Sequence, residues 1–306
     1  MHNQSRSLSA KALLILVTLY VVWGSTYLAM RIAVREVPPL SLAGARFVTT
    51  GLILWILTAM QGRPRPNASH WKHNAVVGLL LLVGGNGFVV WALQYVHSGI
   101  SALVVGVMPI VMVLVEWAWP GGVRPRALVS AGLALGFAGV AWLAAPWHDP
   151  AVDGIHYGAL AALLAATVSW AIGSVYSRHI HDQASPLVSA SIQQFCAGWV
   201  LLALAGLRGE WRTLDLASYG PQSWWAFAYL VVVGSLIGYS CFIWLMRYTA
   251  PAVAASYAFV NPVVAIVLGY LILDEPITPR ITLAAPAIVI AVALITWQKN
   301  NPRHTS

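Results

Sequence analysis

Ten apolar runs of about 20 residues, divided by short polar breaks, leave this chain few ways to fold. A bilayer core about 30 Å thick takes about 20 helical residues at 1.5 Å rise to cross. The runs fall at 11–30, 40–60, 74–95, 99–119, 126–144, 156–177, 186–207, 223–246, 251–272 and 280–298. Turn residues separate them, among them Pro38-Pro39, Gly62 to Pro66, Pro120-Gly121-Gly122, Pro146 to Pro150, Ser185-Pro186, Thr249 to Pro251 and Asp274 to Pro279. The first run starts behind Lys11, is too long for a signal-peptide core and lacks a small-residue cleavage site, so it is expected to be a retained helix. The expected fold is an all-α membrane protein of ten transmembrane helices, with no connector long enough for a soluble catalytic module.

Composition supports lipid as the solvent. Hydrophobic residues make up 59% of the chain and charged residues 8%, against about 25% charged in a soluble domain. The net charge of +8 is spread over connectors and helix ends, with no basic stripe of the kind that grips nucleic acid. Eleven Lys and Arg (Arg6, Lys11, Arg63, Arg65, Lys72, Arg124, Arg126, Arg178, Arg247, Lys299, Arg303) share the side of the N-terminus, and five (Arg31, Arg35, Arg208, Arg212, Arg280) lie opposite. Positive charge stays cytoplasmic, so both termini are expected in the cytoplasm of a cell with this chain in its inner membrane. Asp149, Asp153, Glu210, Asp215, Asp274 and Glu275 lie on the outer side and add little to orientation. Cys196 and Cys241 sit in apolar runs and form neither a disulfide framework nor a metal-binding spacing, and no cofactor is expected.

The later helices repeat at an offset of 153: Gly85 with Gly238, Trp91 with Trp244, Tyr95 with Tyr248, Ala102 with Ala255, Pro109 with Pro262. Near the start of each half, Trp23-Gly24-Ser25-Thr26-Tyr27 echoes Trp170 to Tyr176. Five helices per copy is an odd number, so the second copy enters the membrane upside down. The repeats are expected at 11–145 and 154–298. Inverted repeats place a substrate site near the midplane, exposed alternately as one half rocks against the other.

These motifs, with Pro38-Pro39 before Ala43-Gly44-Ala45-Arg46-Phe47, Gly84-Gly85-Asn86-Gly87, Ser98-Gly99-Ile100-Ser101-Ala102, Ser174-Val175-Tyr176 and Ala255 to Val264, carry a resemblance. The chain resembles the drug/metabolite transporter superfamily, specifically tandem EamA-domain permeases of the YedA-type exporter group. The resemblance implies two inverted five-helix EamA repeats. It also implies a cavity lined by the first four helices of each half, with the fifth and tenth as scaffold or homodimer contacts, and a small-molecule substrate. The family's repeat often carries a glutamate thirteen residues after the proline of its fourth helix. Glu275 keeps it after Pro262, whereas the first copy has Gly122.

Among candidate cavity residues, Arg46 lies about 9 Å into its span by helical rise. There it would be an anion-binding or gating contact, or a structural arginine snorkelling outward. Glu116 sits near an interface, where a bland role is expected. Pro109 and Pro262 each remove a helix hydrogen bond at matched positions, and broken helices in both halves point to a binding region. Asn261 is read as cavity-lining in preference to a helix-to-helix bond. Asn86, in its glycine-rich run, is open to either role. On resemblance, Trp23, Tyr27, Trp170, Tyr176 and Tyr257 are expected in the cavity, with Ser256 from the same motif as Tyr257. Gln94, Gln193 and Gln194 would add polar contacts. Trp91, Tyr95, Trp244 and Tyr248 suit a cavity or an interfacial belt, and Trp117, Trp119, Trp224, Trp225 and Trp297, near helix ends, suit the belt. Gly132-xxx-Gly136 permits close helix packing within the chain, or a homodimer contact.

The function expected is export of a small amphipathic metabolite, amino-acid or drug-like, by alternating access. A channel is the main alternative. An intramembrane enzyme would want clustered acids, histidines or a metal set, and a sensor would want a signalling domain; the sequence offers neither.

Overall fold

A computed structural model describes residues 10–122, 127–144, 156–180, 184–249 and 256–300. Arg6, Arg124, Arg126, Pro146, Asp149, Pro150, Asp153, Pro251, Ala255 and Arg303 lie outside these, as do repeat boundaries 145 and 154 and the side chains of Phe259, Trp297 and Lys299. The first half contributes α1 (Ala10–Ala33), α2 (Pro39–Met60), α3 (Ala68–Ala92), α4 (Ser98–Ala118) and α5 (Ala127–Ala144). The second contributes α6 (Tyr157–His179), α7 (Pro186–Leu207), α8 (Pro221–Tyr248), α9 (Tyr257–Leu273) and α10 (Pro279–Asn300). Seven of these are long and apolar enough to cross a membrane, and α5, α9 and α10 hold the shorter apolar runs Ser130–Gly139, Val260–Leu273 and Pro279–Ala291.

Local chemistry sets the ends. Pro39, Pro186 and Pro221 sit in the first turn of α2, α7 and α8, where a missing N–H costs nothing. The third helix starts six residues before the apolar run at 74–95, because Asn67 Oδ1 accepts from His70 N–H while His70 Nδ1 accepts from Asn67 N–H. Beyond α2 and α7, Gly62 and Gly209 take φ of 64° and 77°, which a side chain would resist.

The packing is symmetric under exchange of the halves. α2 lies against α7 and α5 against α10, pairs that map onto themselves, while α1 with α9 has its counterpart in α6 with α4. Small residues permit these approaches. A Cβ on Gly51 would stand 2.6 Å from Phe195 N, and one on Gly139 would stand 2.9 Å from Ile288 Cγ1. Gly136, of the small-residue pattern in α5, faces Ile110 and Ala291 of the same chain.

Both third helices widen in their middles into π-helical segments, Leu79–Gly87 in α3 and Leu230–Tyr239 in α8. Such segments are rare and re-aim the residues that follow. The fourth helices differ from the expected pair of breaks. Helix α4 is divided at Val107, into Ser98–Gly106 and Met108–Ala118, with Pro109 opening the second piece. Helix α9 runs through Pro262 unbroken.

Candidate functional site

The repeat brings its two tryptophans together mid-helix. Trp23 of α1 and Trp170 of α6 stand edge to face with ring centroids 5.5 Å apart. Each lies over a glycine of the other half's π-helical segment. A Cβ on Gly238 would come 2.7 Å from Trp23 Nε1, and one on Gly85 would come 2.6 Å from Trp170 Cε3. Phe242 and Tyr257 pack on Trp23 at 5.0 and 4.9 Å. Trp23 Nε1 donates to Gly234 O at 3.3 Å.

Around this aromatic centre is a small cavity of about 60 Å³. Of the sequence-derived candidates, Trp23, Tyr27, Arg46, Asn86 and Trp170 line it, as do Tyr257 and Asn261. Arg46 is 5% exposed, donates from Nε to Ser235 Oγ at 2.6 Å across the halves, and lies over the Phe47 ring at 5.0 Å. It therefore does not snorkel outward. Its Nη2 occupies the space that a Cβ on Gly234 would fill, 2.9 Å away. A guanidinium at this depth costs about 3 kcal/mol on insertion scales unless protein, water or a ligand meets it. Asn261 lines the cavity, and with its side-chain amide oriented so that the nitrogen faces the two carbonyls it donates to Tyr20 O at 3.3 Å and to Tyr257 O at 3.2 Å, tying α9 to α1.

Five candidates stand elsewhere. Ser256 Oγ is bonded to Tyr20 Oη at 2.6 Å, and Tyr176 Oη to His73 Nδ1 at 3.2 Å. Gln94 Nε2 turns back to Trp91 O at 3.0 Å. Pro109 is buried at the break in α4, and Pro262 packs towards Gly106. Ser256, Pro109 and Pro262 adjoin residues that line the cavity, Tyr257, Met108 and Asn261, but successive helical residues point about 100° apart. Gln193 donates to Asn74 Oδ1 at 2.7 Å and accepts from Tyr239 Oη at 2.6 Å, behind the wall. Trp91 with Tyr95, and Trp244 with Tyr248, form matching pairs at 5.2 and 5.1 Å away from the centre. Trp117, Trp224 and Trp225 are exposed, as interfacial residues would be.

The sequence reading missed Ser235, Tyr239 and Met108, which also line the cavity. The offset of 153 points to them: it carries Leu82 onto Ser235, Asn86 onto Tyr239, and Met108 onto Asn261. All six line the cavity.

At the Arg31 end, three carboxylates each cap a helix of the opposite half. Glu210 accepts from Ser41 N–H at 2.8 Å and Ser41 Oγ at 2.9 Å, at the start of α2. Glu36 accepts from Gly220 N–H at 2.8 Å and Ser223 Oγ at 2.7 Å, at the start of α8. Glu275 accepts from Ser98 N–H at 3.0 Å and Ser98 Oγ at 2.6 Å, at the start of α4. A carboxylate is favoured at the positive end of a helix. The Ser223 hydroxyl, with the Gly220 N–H, holds the Glu36 carboxyl below the usual range. Beside Glu275, burial pushes the His97 imidazole down, Glu275 opposes this and Arg31 adds to it.

Glu275 reaches Ser98 because Asp274 closes α9 in the left-handed region at φ 53°. Gly121, 153 residues earlier, makes the same turn at φ 80° after α4. The carboxylate has changed places between the copies: Glu275 matches Gly122, and Gly269, whose missing side chain gives Glu275 room, matches Glu116. At the opposite end Glu116 forms an ion pair with Arg178 of α6. Glu116 is thus a link between halves, not a bland interfacial residue.

The EamA-like transporter family matches the chain twice, over residues 10–145 and 156–297. The uncharacterized inner membrane transporter YedA of Escherichia coli strain K12 is 36% identical over 285 residues, which cover 93% of this chain and 90% of YedA. The uncharacterized transporter YvbV of Bacillus subtilis strain 168 is 28% identical, covering 92% and 90%. A protein of Escherichia coli strain K12 named "probable amino-acid metabolite efflux pump" is 26% identical, covering 91% and 94%. A protein of known crystal structure, 22% identical, superposes with a TM-score of 0.67 over 96% of this chain and 99% of its own, and shares the fold.

Proposed function

This chain belongs to the EamA-like transporter family of the drug/metabolite transporter superfamily, and from that premise we propose that it is an inner-membrane exporter of small amphipathic metabolites working by alternating access. The observation that carries the reading is the central cavity. Equivalent positions of both halves meet in its wall, as they must in a carrier whose halves exchange roles: Trp23 with Trp170, Asn86 with Tyr239, Met108 with Asn261. The aromatic faces suit an apolar cargo body and the amide, hydroxyl and guanidinium groups its polar end. An amino-acid or drug-like compound fits this description, and one relative is named for amino-acid metabolite efflux.

In this reading the repeats 11–145 and 154–298 are the moving units, and both termini are cytoplasmic. The caps made by Glu36, Glu210 and Glu275 hold the outer end shut in this conformer. The Arg178–Glu116 pair is the inner latch. Counterflow in proteoliposomes preloaded with single amino acids and related metabolites tests the proposal. Saturable exchange, weakened in Trp170→Ala, is the expected result. Flux that does not saturate and shows no counterflow would make the protein a channel.

A further inference from the structure

We propose that the cargo is a monoanion, an organic carboxylate with an aromatic or apolar body, seated with its carboxylate on Arg46; this rests on reading the central cavity as the cargo site.

The charge in that cavity is unbalanced. Arg46 is 95% buried, since 5% is exposed, and its hydrogen bond is to a neutral hydroxyl, Ser235 Oγ at 2.6 Å. Among the described residues no carboxylate lines the cavity. The other ionisable walls are the phenols of Tyr27, Tyr239 and Tyr257. With Nε taken by Ser235, the terminal nitrogens present a fork of donors matched to the two oxygens of a carboxylate. A buried cation without an acidic partner is stable when a ligand brings the counter-charge. A zwitterion would bring its own ammonium into the same low-dielectric space, where no acid of the cavity wall could receive it.

The rest of the wall describes the rest of the cargo. Trp23, Trp170 and Tyr257 meet edge to face and offer flat apolar surfaces. Asn86 Oδ1 is buried without a partner, an acceptor suited to a hydroxyl or N–H on the cargo body. At the Arg178 end a second cavity is lined by Arg63, Arg65, His70 and Arg247, and among the described residues no carboxylate lines it. A cleft lined by one sign of charge raises the local concentration of the opposite ion.

The test uses four probes sharing one body: 3-phenylpropionate, its amide, phenylalanine and phenethylamine. Each is measured for counterflow in proteoliposomes and for the rise in Tm it gives the purified protein. For wild type the carboxylate is expected to half-saturate at a concentration about tenfold below the amide, the zwitterion and the amine. Arg46→Gln should abolish that preference, and Arg46→Lys should retain part of it. Equal responses to all four, or a preference for phenylalanine or the amine, would overturn the anion assignment and leave the transporter standing. A Tm rise specific to the carboxylate and lost in Arg46→Gln, without counterflow, would uphold the anion site and sink the transport reading. Neither counterflow nor a Tm rise with any probe would remove both. The wild-type preference decides the matter even if the Arg46 variants fail to fold.

Discussion

Trp23 and Trp170, which the repeat relates to each other, meet edge to face at 5.5 Å in the middle of the protein. Among the described residues they are the one pair of matched aromatics in contact across the halves in the cavity wall. Each half thus presents the same residue to the shared axis. Aromatic pairs of this geometry contribute about 0.5–1.5 kcal/mol beyond their buried area. Trp23→Ala and Trp170→Ala are each expected to lower exchange about tenfold or more. The double variant should lose less than the product of the two, because both singles break one contact. Strict multiplicativity in initial-rate counterflow would show that the rings act separately.

Gly234 gives Arg46 its place. A Cβ there would sit 2.9 Å from Arg46 Nη2 and 2.9 Å from Thr26 Cγ2, so Gly234→Ala should displace the guanidinium and weaken cargo affinity. Overpacking of this kind costs about 1–3 kcal/mol. The half-saturation concentration should therefore rise while the protein still purifies as a folded species. An unchanged concentration would show that the guanidinium position is unimportant to cargo.

Much of this architecture was legible in the sequence, and the limits have physical causes. Apolar runs and turn residues mark the ten helices, and the offset of 153 marks the repeat. Trp23, Arg46 and Asn86 stand where the sequence motifs point. Ser256 and Tyr176 do not face the cavity, because one residue along a helix turns a side chain by about 100° and a motif does not state its phase. Ser235 and Tyr239 were missed because they lie in a π-helical stretch, Leu230–Tyr239, whose facing the ordinary period misstates. The caps made by Glu36 and Glu210 join residues more than 160 positions apart, a relation no local signal carries.

The caps make stability depend on acid. Hydrogen bonds hold the Glu36 carboxyl below its usual range, so the folded state binds its proton less readily than the unfolded chain. The contribution is complete above the ordinary carboxylate pKa of about 4.3 and is lost as pH falls through the lowered value. Wild type should therefore lose more in Tm between about pH 5 and about pH 2.5 than Glu36→Gln, which has no carboxyl to protonate there. An equal loss in both proteins would remove Glu36 from the acid response.

Glu275 closes the Arg31 end most deeply, at 8% exposure. Glu275→Ala strands the Ser98 N–H and hydroxyl, and loss of a helix cap costs about 1–2 kcal/mol. Cysteines placed beside the cavity should become more reactive from that face in the variant. Unaltered reactivity would show that this end is held by other contacts.

The central claim, a cavity exposed to one face at a time, is tested most directly by thiol labelling of Asn86→Cys in a chain carrying Cys196→Ser and Cys241→Ser. An impermeant reagent is applied to each face of oriented vesicles, with and without Arg178→Ala to release the opposite latch. The account predicts a reciprocal change: labelling from the Arg178 face rises while labelling from the Arg31 face falls. A rise at both faces together would mean a continuous pore, and the alternating carrier described here would be wrong.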